Sequence, residues 1–482
     1  MEARSLRNPL ATLFPRSSPP LRGALAAAAL LFVLPAAAAA QEDDLGYRRE
    51  YVIQADAAWI APGRVLSPAF VGVDRGRIRW VAPENLAANR PAGPLGLGGK
   101  PPRVIRVHGT LAPSMVDAWC EVRPSDLQGD RRATPVREVA DSLPAQRPFE
   151  DPALAAAVAA AREAGFGAMW VSPGGRALRT GVGVACTFGA HDLPAAAGST
   201  GLDFVVGVSV LGASGSYAVE DLADAFDEAE GWLDEWDDYQ EKLEKYEKDL
   251  EKYREKLAKW KEEKAKHEEA AAAGDAGDGD GQGKGKAKEE GAPEPPKRPQ
   301  RPLPPKRELA RDQLLAALRG EHLVRVRADD VADLRAVIAL REEYGLDLVV
   351  LGGRWADEVA DELAAAEIPV VLSLRDAEGD DFPERSLAAR FRRLRAAGVE
   401  VALASGGGQA DQAAALLRAG SLVADGADPD EVWAALTVVP ARILGLGERH
   451  GRIAPGASAS LLLFEGSSPF DLSAPFRSHK PR

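Results

Sequence analysis

The sequence predicts an α/β protein built on a (β/α)8 TIM barrel, with a composite β-sandwich from the N- and C-terminal segments and a long helical insertion. Three observations predict this fold class. Strand-like and helix-like stretches alternate regularly through the middle of the chain, which is typical of a parallel sheet. Short strand–turn–strand stretches lie near both ends. One long stretch with a heptad pattern interrupts the alternation.

Composition limits the possible partners. The chain has 482 residues, 45% of them hydrophobic, which is enough for one large domain or two medium ones. It carries 73 acidic and 60 basic residues and a net charge of −13, so nucleic acid is not expected as a main partner.

The first 40 residues resemble a targeting segment rather than part of the fold. Arginines form a basic leader, residues 24–34 are an apolar core too short to span a bilayer, and residues 36–40 are alanines before Gln41. Residues 1–40 are therefore predicted to be a secretory signal peptide. An uncleaved N-terminal anchor is the alternative. The mature protein is expected to be exported, periplasmic or extracellular, with no membrane contact after cleavage.

Both ends of the mature chain contain β segments. Residues 71–84 read as a strand, a turn at Arg75-Gly76 and a second strand, and residues 451–466 have the same character. Two such segments that flank a long middle can pair into one small sheet. Residues 47–111 plus 448–470 are predicted to form the composite β-sandwich.

Residues 112–447 are assigned to the barrel. The stretch 110–122, TLAPSMVDAWCEV, supplies the first strand. Further strands are read at 167–172, 202–210, 322–328, 346–353, 368–374 and 399–408, separated by helical stretches. About eight strand units result, as a closed barrel needs. An open doubly wound sheet is the alternative.

The helical insertion spans 229–307. Large apolar side chains follow a 4, 3 spacing at Trp232, Trp236, Tyr239, Leu243, Tyr246, Leu250, Tyr253, Leu257 and Trp260. This seam predicts that the 229–270 helix is an interaction arm. Its partner is a second copy in a homo-oligomer, another protein or the barrel's own surface. A solvated helix that packs nowhere is the alternative. Residues 274–306, rich in Gly, Pro and Lys, are expected to be disordered.

Cys120 and Cys186 are the two cysteines of the chain. In an oxidising compartment they either pair or stay as separate buried residues, and the sequence leaves both outcomes open. Their spacing is not that of a metal site.

Four stretches carry a resemblance to the amidohydrolase superfamily, in particular to its imidazolonepropionase-like members. The most specific is the closing stretch ALTVVPARILGLGERHGRIAPGASASLLLF, because Thr437, Pro440-Ala441, Gly445-Leu446 and Pro455-Gly456 recur in order. The other three are VDRGRIRWVAPE, HGTLAPSMVDAW and the stretch 334–372.

The resemblance implies a (β/α)8 barrel with a composite β-sandwich. It also implies a metal-activated water that attacks an amide-type carbon, often in a cyclic ring. The family would use zinc or another divalent metal, held at the carboxyl ends of strands by imidazoles, a carboxylate and sometimes a modified lysine.

Carried over position by position, these ligands are missing. The paired histidines of strand 1 fall on Trp119 and Glu121. Strand 5 offers residues 324–327, Val-Arg-Val-Arg, where a histidine is expected, and His322 lies at the wrong end of that strand. Strand 6 ends in Leu-Gly-Gly, and strand 8 reads Ala-Ser-Gly-Gly-Gly where the family has its proton-shuttling aspartate. No metal and no cofactor are therefore predicted.

The leading functional prediction is an exported amidohydrolase-like protein that is catalytically silent and retained for binding or assembly. Trp119 and Ser405 are predicted to line a pocket at the barrel mouth for an unknown small molecule, with Trp119 filling part of the metal's space. The alternative is an active hydrolase with a rebuilt site that uses Glu121, Asp117 and Arg327. A third reading is a structural scaffold that acts through the helical arm.

Overall fold

Two small sheets are built from the ends of the chain. The N-terminal strands are β1 Glu50–Ala55, β2 Ala57–Ala61, β3 Arg64–Leu66, β4 Ala69–Asp74, β5 Arg77–Ala82, β6 Arg103–Arg106 and β7 Thr110–Pro113. The predicted turn at Arg75-Gly76 joins β4 to β5, and both of its residues have positive φ, as a tight hairpin turn requires. One sheet has the order β5-β4-β1-β6.

The second small sheet combines both chain ends. Its C-terminal strands are β16 Leu461–Phe464 and β17 Phe476–His479, and its order is β17-β16-β7-β2-β3. Ile53, Val71, Ile78, Leu111 and Leu461 pack in one apolar cluster that both sheets share. The composite β-sandwich predicted from the sequence is thus present, although the predicted domain boundaries stay predictions.

The structure is a computed structural model, and it describes only part of the chain. The described residues are 50–88, 102–120, 152–171, 179–188, 194–205, 215–274, 294–306, 309–378, 383–466, 468–470 and 476–479. The predicted signal peptide 1–40 and the candidate Glu121 lie outside them.

Eight strands form the central sheet, and they pair in chain order. They are β8 Met115–Asp117, β9 Phe166–Val171, β10 Arg179–Phe188, β11 Pro194–Val205, β12 Leu323–Ala328, β13 Leu348–Gly352, β14 Val370–Ser373 and β15 Val401–Ala404. The two outer strands, β8 and β15, come together just beyond their carboxyl ends, where the Gly406 N–H donates to the Trp119 carbonyl at 2.9 Å. This contact brings the two edge strands of the sheet together, as the predicted barrel requires; an open doubly wound sheet would not need such a contact.

One barrel strand runs the opposite way. The regular alternation predicted a fully parallel sheet, but β10 is antiparallel to both β9 and β11. Seven residues join β9 to β10 and five join β10 to β11. A parallel connection needs a crossover of about a dozen residues or more, so these short connections force a reversed strand where the (β/α)8 pattern has a parallel one.

Nine helices are described. They are α1 Pro152–Glu163, α2 Gly215–Gly274, α3 Leu309–Leu318, α4 Val331–Tyr344, α5 Ala360–Ala365, α6 Leu387–Ala396, α7 Gln409–Ala424, α8 Pro429–Leu436 and α9 Val438–Ile443. Their apolar faces join the outward faces of the barrel strands in one large core. None of the helices in the described part is long and apolar enough to cross a membrane.

The inserted helix has a buried root and a projecting arm. The sequence predicted a start at 229, but α2 begins at Gly215 and runs for 60 residues, about 90 Å. Its first turns place Leu222, Phe226, Ala229 and Trp232 in the core, because these residues recur at helical spacing and face α3 and α4. The helix therefore belongs to the barrel up to about Trp236.

Part of the segment after the arm is described. Residues 274–306 were expected to be disordered, and the structure describes 294–306 as a stretch with neither helix nor strand. Four prolines in it are half-buried at every third position, namely 296, 299, 302 and 305. Three residues per turn is the period of a polyproline II helix, so in that conformation the four prolines would share one face. Residues 275–293 lie outside the described part.

Candidate functional site at the barrel mouth

A fully buried carboxylate joins the two ends of the barrel sheet. Asp117, the last residue of β8, accepts hydrogen bonds from Ser405 Oγ at 2.6 Å and Ser405 N at 3.1 Å. It also accepts from Gln412 Nε2 on α7 at 3.0 Å and from Trp119 N at 3.4 Å. Burial raises the pKa of Asp117, and the bonds from Ser405 and Gln412 oppose that rise. With these four donors, Asp117 anchors β8 to the far edge of the sheet.

A buried ion pair occupies the barrel interior. Arg325 on β12 has no exposed surface, and its Nε donates to Asp203 Oδ1 at 2.7 Å. Its Nη2 donates to the Ala118 carbonyl, also at 2.7 Å, so the guanidinium spans the barrel from β12 to β8. Burial lowers the pKa of Arg325, and the Asp203 charge acts against that shift.

An indole ring stacks against this ion pair. The Arg325 guanidinium lies 4.2 Å from the centre of the Trp170 ring, and Trp170 Nε1 donates to Asp203 Oδ2 at 3.1 Å. Both carboxylate oxygens of Asp203 therefore have donors. Arg325, Asp203 and Trp170 form a connected group that we call the central plug; among the described residues Arg325 Nη1 has no hydrogen-bond partner.

Glycines on the neighbouring strands make room for the indole. A Cβ at Gly183 on β10 would lie 2.5 Å from the Trp170 ring, and one at Gly201 on β11 would lie 3.1 Å from it. Contacts under 3.0 Å are not tolerated without movement, so the first glycine is fixed by the size of Trp170. The centre of the barrel is filled by side chains.

The mouth above the plug carries a second arginine–tryptophan pair. Arg327, two residues beyond Arg325 on β12, has its guanidinium 5.4 Å from the Trp119 ring centre. Its Nε is 3.8 Å from Asp329 Oδ2, which is longer than a hydrogen bond. The side chain of Arg327 is 45% exposed, so this pair faces solvent.

A third arginine lies on the β14 side of the mouth. Arg375 follows β14, and its Nη1 is 3.4 Å from the Gly406 carbonyl and its Nε 3.7 Å from Asp411 Oδ1. Arg418 holds the same carboxylate more closely, at 2.9 Å.

Comparison with known proteins gives a fold and a partial family match. Residues 364–482, the closing quarter of the chain, match the Amidohydrolase family. The crystal structure of an amidohydrolase from Thermotoga maritima MSB8 is similar over 89% of this chain and 98% of its own, with a TM-score of 0.60 and 18% sequence identity. The chain therefore shares the fold of that amidohydrolase.

Two further solved structures are similar with lower TM-scores. A molinate hydrolase is 12% identical, with a TM-score of 0.46 over 90% of this chain and 94% of its own. The A. niger ochratoxinase is 13% identical, with a TM-score of 0.45 over 88% of this chain and 91% of its own. No curated protein matches the sequence. The imidazolonepropionase-like subtype remains a prediction.

The predicted site residues fall into two places. Asp117 and Ser405 meet in the buried anchor, whereas Trp119 and Arg327 meet at the mouth. Trp119 was predicted to fill part of the metal's space; its ring is half-buried at the mouth, and Trp170 lies fully buried in the interior. That Trp119 and Ser405 line a pocket stays a prediction.

The central plug was missed from the sequence. Arg325 and Arg327 alternate with valines in the strand LVRVRA, a period that places two arginines on the inward face of a buried strand. That pattern was a usable signal. Asp203 and Trp170 come from strands distant in sequence, and nothing local indicates their pairing.

The residues present do not fit the divalent metal that the family implies. Asp117 already has four donors, Asp203 is paired with Arg325, and the guanidinium supplies a cation at the barrel centre. In the described part of the chain no three His, Cys, Asp or Glu side chains gather in a group that could hold a metal ion.

The histidines and cysteines with described side chains lie away from the mouth or are engaged elsewhere. His322 contacts Gln313 at 2.6 Å at the start of β12, and His450 is buried in the closing segment. Cys120 and Cys186 are buried and form no disulfide in this structure, and Cys120 Sγ donates to the Trp170 carbonyl at 3.1 Å.

Proposed function

We propose that this amidohydrolase-superfamily chain is an exported, catalytically silent member that is retained for binding or assembly. The observation that carries the proposal is the central plug, in which the fully buried Arg325 is bound by Asp203 and stacked on Trp170. The sequence-based reading of residues 1–40 as a signal peptide supports export.

Electrostatics explain why the plug argues against hydrolysis by metal-activated water. A divalent cation at the barrel centre would lie beside a buried guanidinium, and like charges repel strongly where the dielectric constant is low. Displacing the guanidinium would leave Asp203 or Arg325 buried without its partner, which costs about 3–5 kcal/mol. A catalytic metal also needs an open coordination position, and side chains fill this space.

The alternative of a rebuilt hydrolase site has weaker support. Asp117, its proposed base, is fully buried and accepts four hydrogen bonds, so it has no free lone pair aimed at a water or a substrate. Arg327 is exposed enough to stabilise a developing negative charge, but Glu121 lies outside the described residues. This reading therefore rests on one residue of three.

A scaffold function through the arm is the second candidate. The observation that favours it is the length of α2 beyond its buried root, from Trp236 to Gly274. A partner bound to the arm would lie far from the barrel mouth, so a scaffold function is compatible with a silent barrel.

A hydrolysis assay tests the proposal. The mature protein from Gln41 is incubated with a panel of cyclic amides, with and without added Zn²⁺ or Mn²⁺, beside the double variant Trp119→His with Glu121→His. We expect no turnover from either protein. The fifth, sixth and eighth barrel strands, β12, β13 and β15, still lack the family's histidines and aspartate, and Arg325 still fills the centre of the barrel. Metal-dependent turnover by the wild type that is lost on substituting Glu121 would overturn the proposal.

A further inference from the structure

We propose that the barrel mouth binds a small organic oxyanion attached to a flat ring, held between Trp119, Arg327 and Arg375. This inference rests on the proposed function, since it assigns a ligand class to the silent barrel. The site is defined by these three residues and is called the mouth site below.

The strand register places the two arginines at one end of the barrel. Arg327 lies opposite Leu351 of β13, which lies opposite Val371 of β14, and Arg375 follows β14 by two residues. With about 4.8 Å between neighbouring strands, the two side chains start roughly 10 Å apart. The carboxyl ends of barrel strands are where ligands bind in this architecture.

Carboxylates lie over the glycines near the two arginines. A Cβ at Gly352, the last residue of β13, would lie 2.5 Å from Asp329 Oδ1, and one at Gly407, after β15, would meet the Asp411 carboxylate. These are the carboxylates that Arg327 and Arg375 approach at 3.8 and 3.7 Å. An oxyanion at the mouth site therefore competes with these two carboxylates for the guanidinium groups.

The mouth arginines differ from Arg325 in how fully they are bonded. Arg325 makes two hydrogen bonds of 2.7 Å and has no exposed surface. The ion pairs of Arg327 and Arg375 are 3.8 and 3.7 Å long, and the two side chains are 45% and 51% exposed. Guanidinium groups in such long, exposed pairs keep donors available for a bidentate oxyanion.

Trp119 and the local charge favour an anion with a ring. The indole holds the Arg327 guanidinium by a cation–π contact, which orients its donors before a ligand arrives. Arg418 contacts the Asp411 carboxylate at 2.9 Å, closer than Arg375 at 3.7 Å, so Arg375 is the weaker partner of that carboxylate.

Calorimetric titration with matched probes tests the mouth site. Benzoate carries the charge and the ring, benzamide has the same shape without the charge, and inorganic phosphate has the charge without the ring. We expect saturable benzoate binding at low salt, with benzamide and phosphate each weaker by about ten-fold or more, the effect of one lost charged hydrogen bond.

Variants locate the binding. Arg327→Gln and Arg375→Gln are each expected to weaken benzoate binding about ten-fold, and Trp119→Leu is expected to weaken benzoate more than phosphate. Arg335→Gln is the matched control, because Arg335 is a surface arginine paired with Glu362 on α5. Equal binding of benzoate and benzamide, no saturable benzoate binding, or an equal loss in the Arg335 variant would overturn the mouth site.

The silent-barrel proposal and the mouth site can be overturned independently. Benzoate binding by a protein that also hydrolyses cyclic amides with a metal would overturn the silent-barrel proposal and leave the mouth site standing. A protein with no turnover and no benzoate binding would overturn the mouth site and leave the silent-barrel proposal standing.

A second inference concerns the arm and follows from a different observation. We infer that residues 294–306 cover the aromatic stripe of α2 within the same molecule. The stripe consists of Tyr239, Tyr246, Tyr253 and Trp260 with the leucines between them, and all these side chains are half-buried although the helix there lies beyond its buried root.

The spacing of the aromatic residues along α2 is close to the spacing of the half-buried prolines. The four aromatic residues recur every seven residues, about 10.5 Å along an α-helix, and the four half-buried prolines recur every three residues, about 9.3 Å along a polyproline II helix. Helix α3 begins at Leu309 and packs beside the root of α2, so the segment must run back toward the barrel, antiparallel to α2. Each of its four prolines can then stack on one of the four aromatic rings.

Replacing the four prolines by glycine tests this cover. The variant at 296, 299, 302 and 305 should lose helical signal at 222 nm and either bind a hydrophobic dye or self-associate in solution, because the stripe is uncovered. The matched control replaces the exposed Lys297, Arg298, Gln300 and Arg301 by glycine and should behave like the wild type. Unchanged helicity, dye binding and mass in the proline variant would overturn the inference.

Discussion

At the residue scale, one arginine determines what the barrel can do. Arg325 connects β12, β11 and β8 through Asp203 and the Ala118 carbonyl, and Trp170 covers its face. Removing one partner of a buried ion pair is costly because the other charge is left without compensation. The plug is therefore expected to stabilise the barrel as well as to fill it.

Single and double substitutions measure this role. Arg325→Met is expected to lower the free energy of unfolding by about 3–5 kcal/mol, because Asp203 stays buried without its cation. Arg325→Met with Asp203→Asn should recover most of that loss. Urea unfolding checks both, with Arg335→Met as a surface control that leaves the midpoint unchanged. A single variant as stable as the control would show that the plug is not an essential pair.

His450 makes stability depend on pH. Burial, with help from Arg449, lowers the pKa of His450 to about 4 in the folded chain, against about 6.5 when unfolded. The unfolded state therefore binds the proton first, and stability is lost as pH falls from about 6.5 to 4. The loss amounts to about 3 kcal/mol at most. His450→Gln should flatten this part of the profile, measured by urea unfolding at several pH values; parallel profiles would contradict the assignment.

At the element scale, α2 divides into a root that belongs to the barrel and an arm that does not. Trp232 is buried, and Trp236 packs on it edge to face with ring centres 5.7 Å apart. The Tyr344 hydroxyl on α4 donates to Asp227 at 2.7 Å, which adds a polar contact to the root. An insertion boundary drawn at 229 would cut through these contacts.

Two deletions distinguish the root from the arm. Replacing residues 238–305 by a short Gly/Ser linker should leave the melting temperature nearly unchanged, because the root keeps its contacts. Replacing 229–307 also removes Trp232, and losing one buried tryptophan costs about 3–5 kcal/mol. The second deletion should therefore melt much lower in a thermal scan. Equal melting of the two would contradict the division at Trp236, and the mass of each in solution reports whether the arm also holds a partner.

At the scale of the whole molecule, the sequence predicts the architecture better than the site. The strand–helix alternation and the two terminal β segments indicate the barrel and the composite sandwich, because apolar runs and turns are local signals. The reversed strand β10 was missed, although the lengths of its two connections, seven and five residues, forbid a parallel crossover. The length of these two connections was the overlooked constraint.

The site was harder to predict because its contacts are not local. Arg325 and Asp203 are 122 positions apart, and Asp117 and Ser405 are 288 apart. The missing ligands could be found position by position through the family resemblance. What replaced them, a cation held by a carboxylate and an indole, depends on strand register and on glycines at 183 and 201. No single stretch of sequence encodes that arrangement.

The metal content of the mature protein is the most direct test of the central claim that the barrel is silent. The chain from Gln41 is purified without chelators and its zinc, iron and manganese are measured by elemental analysis. The plug and the missing ligands predict far less than one equivalent of any of them. One tightly bound equivalent, lost on replacing Glu121 or Asp117, would contradict the account.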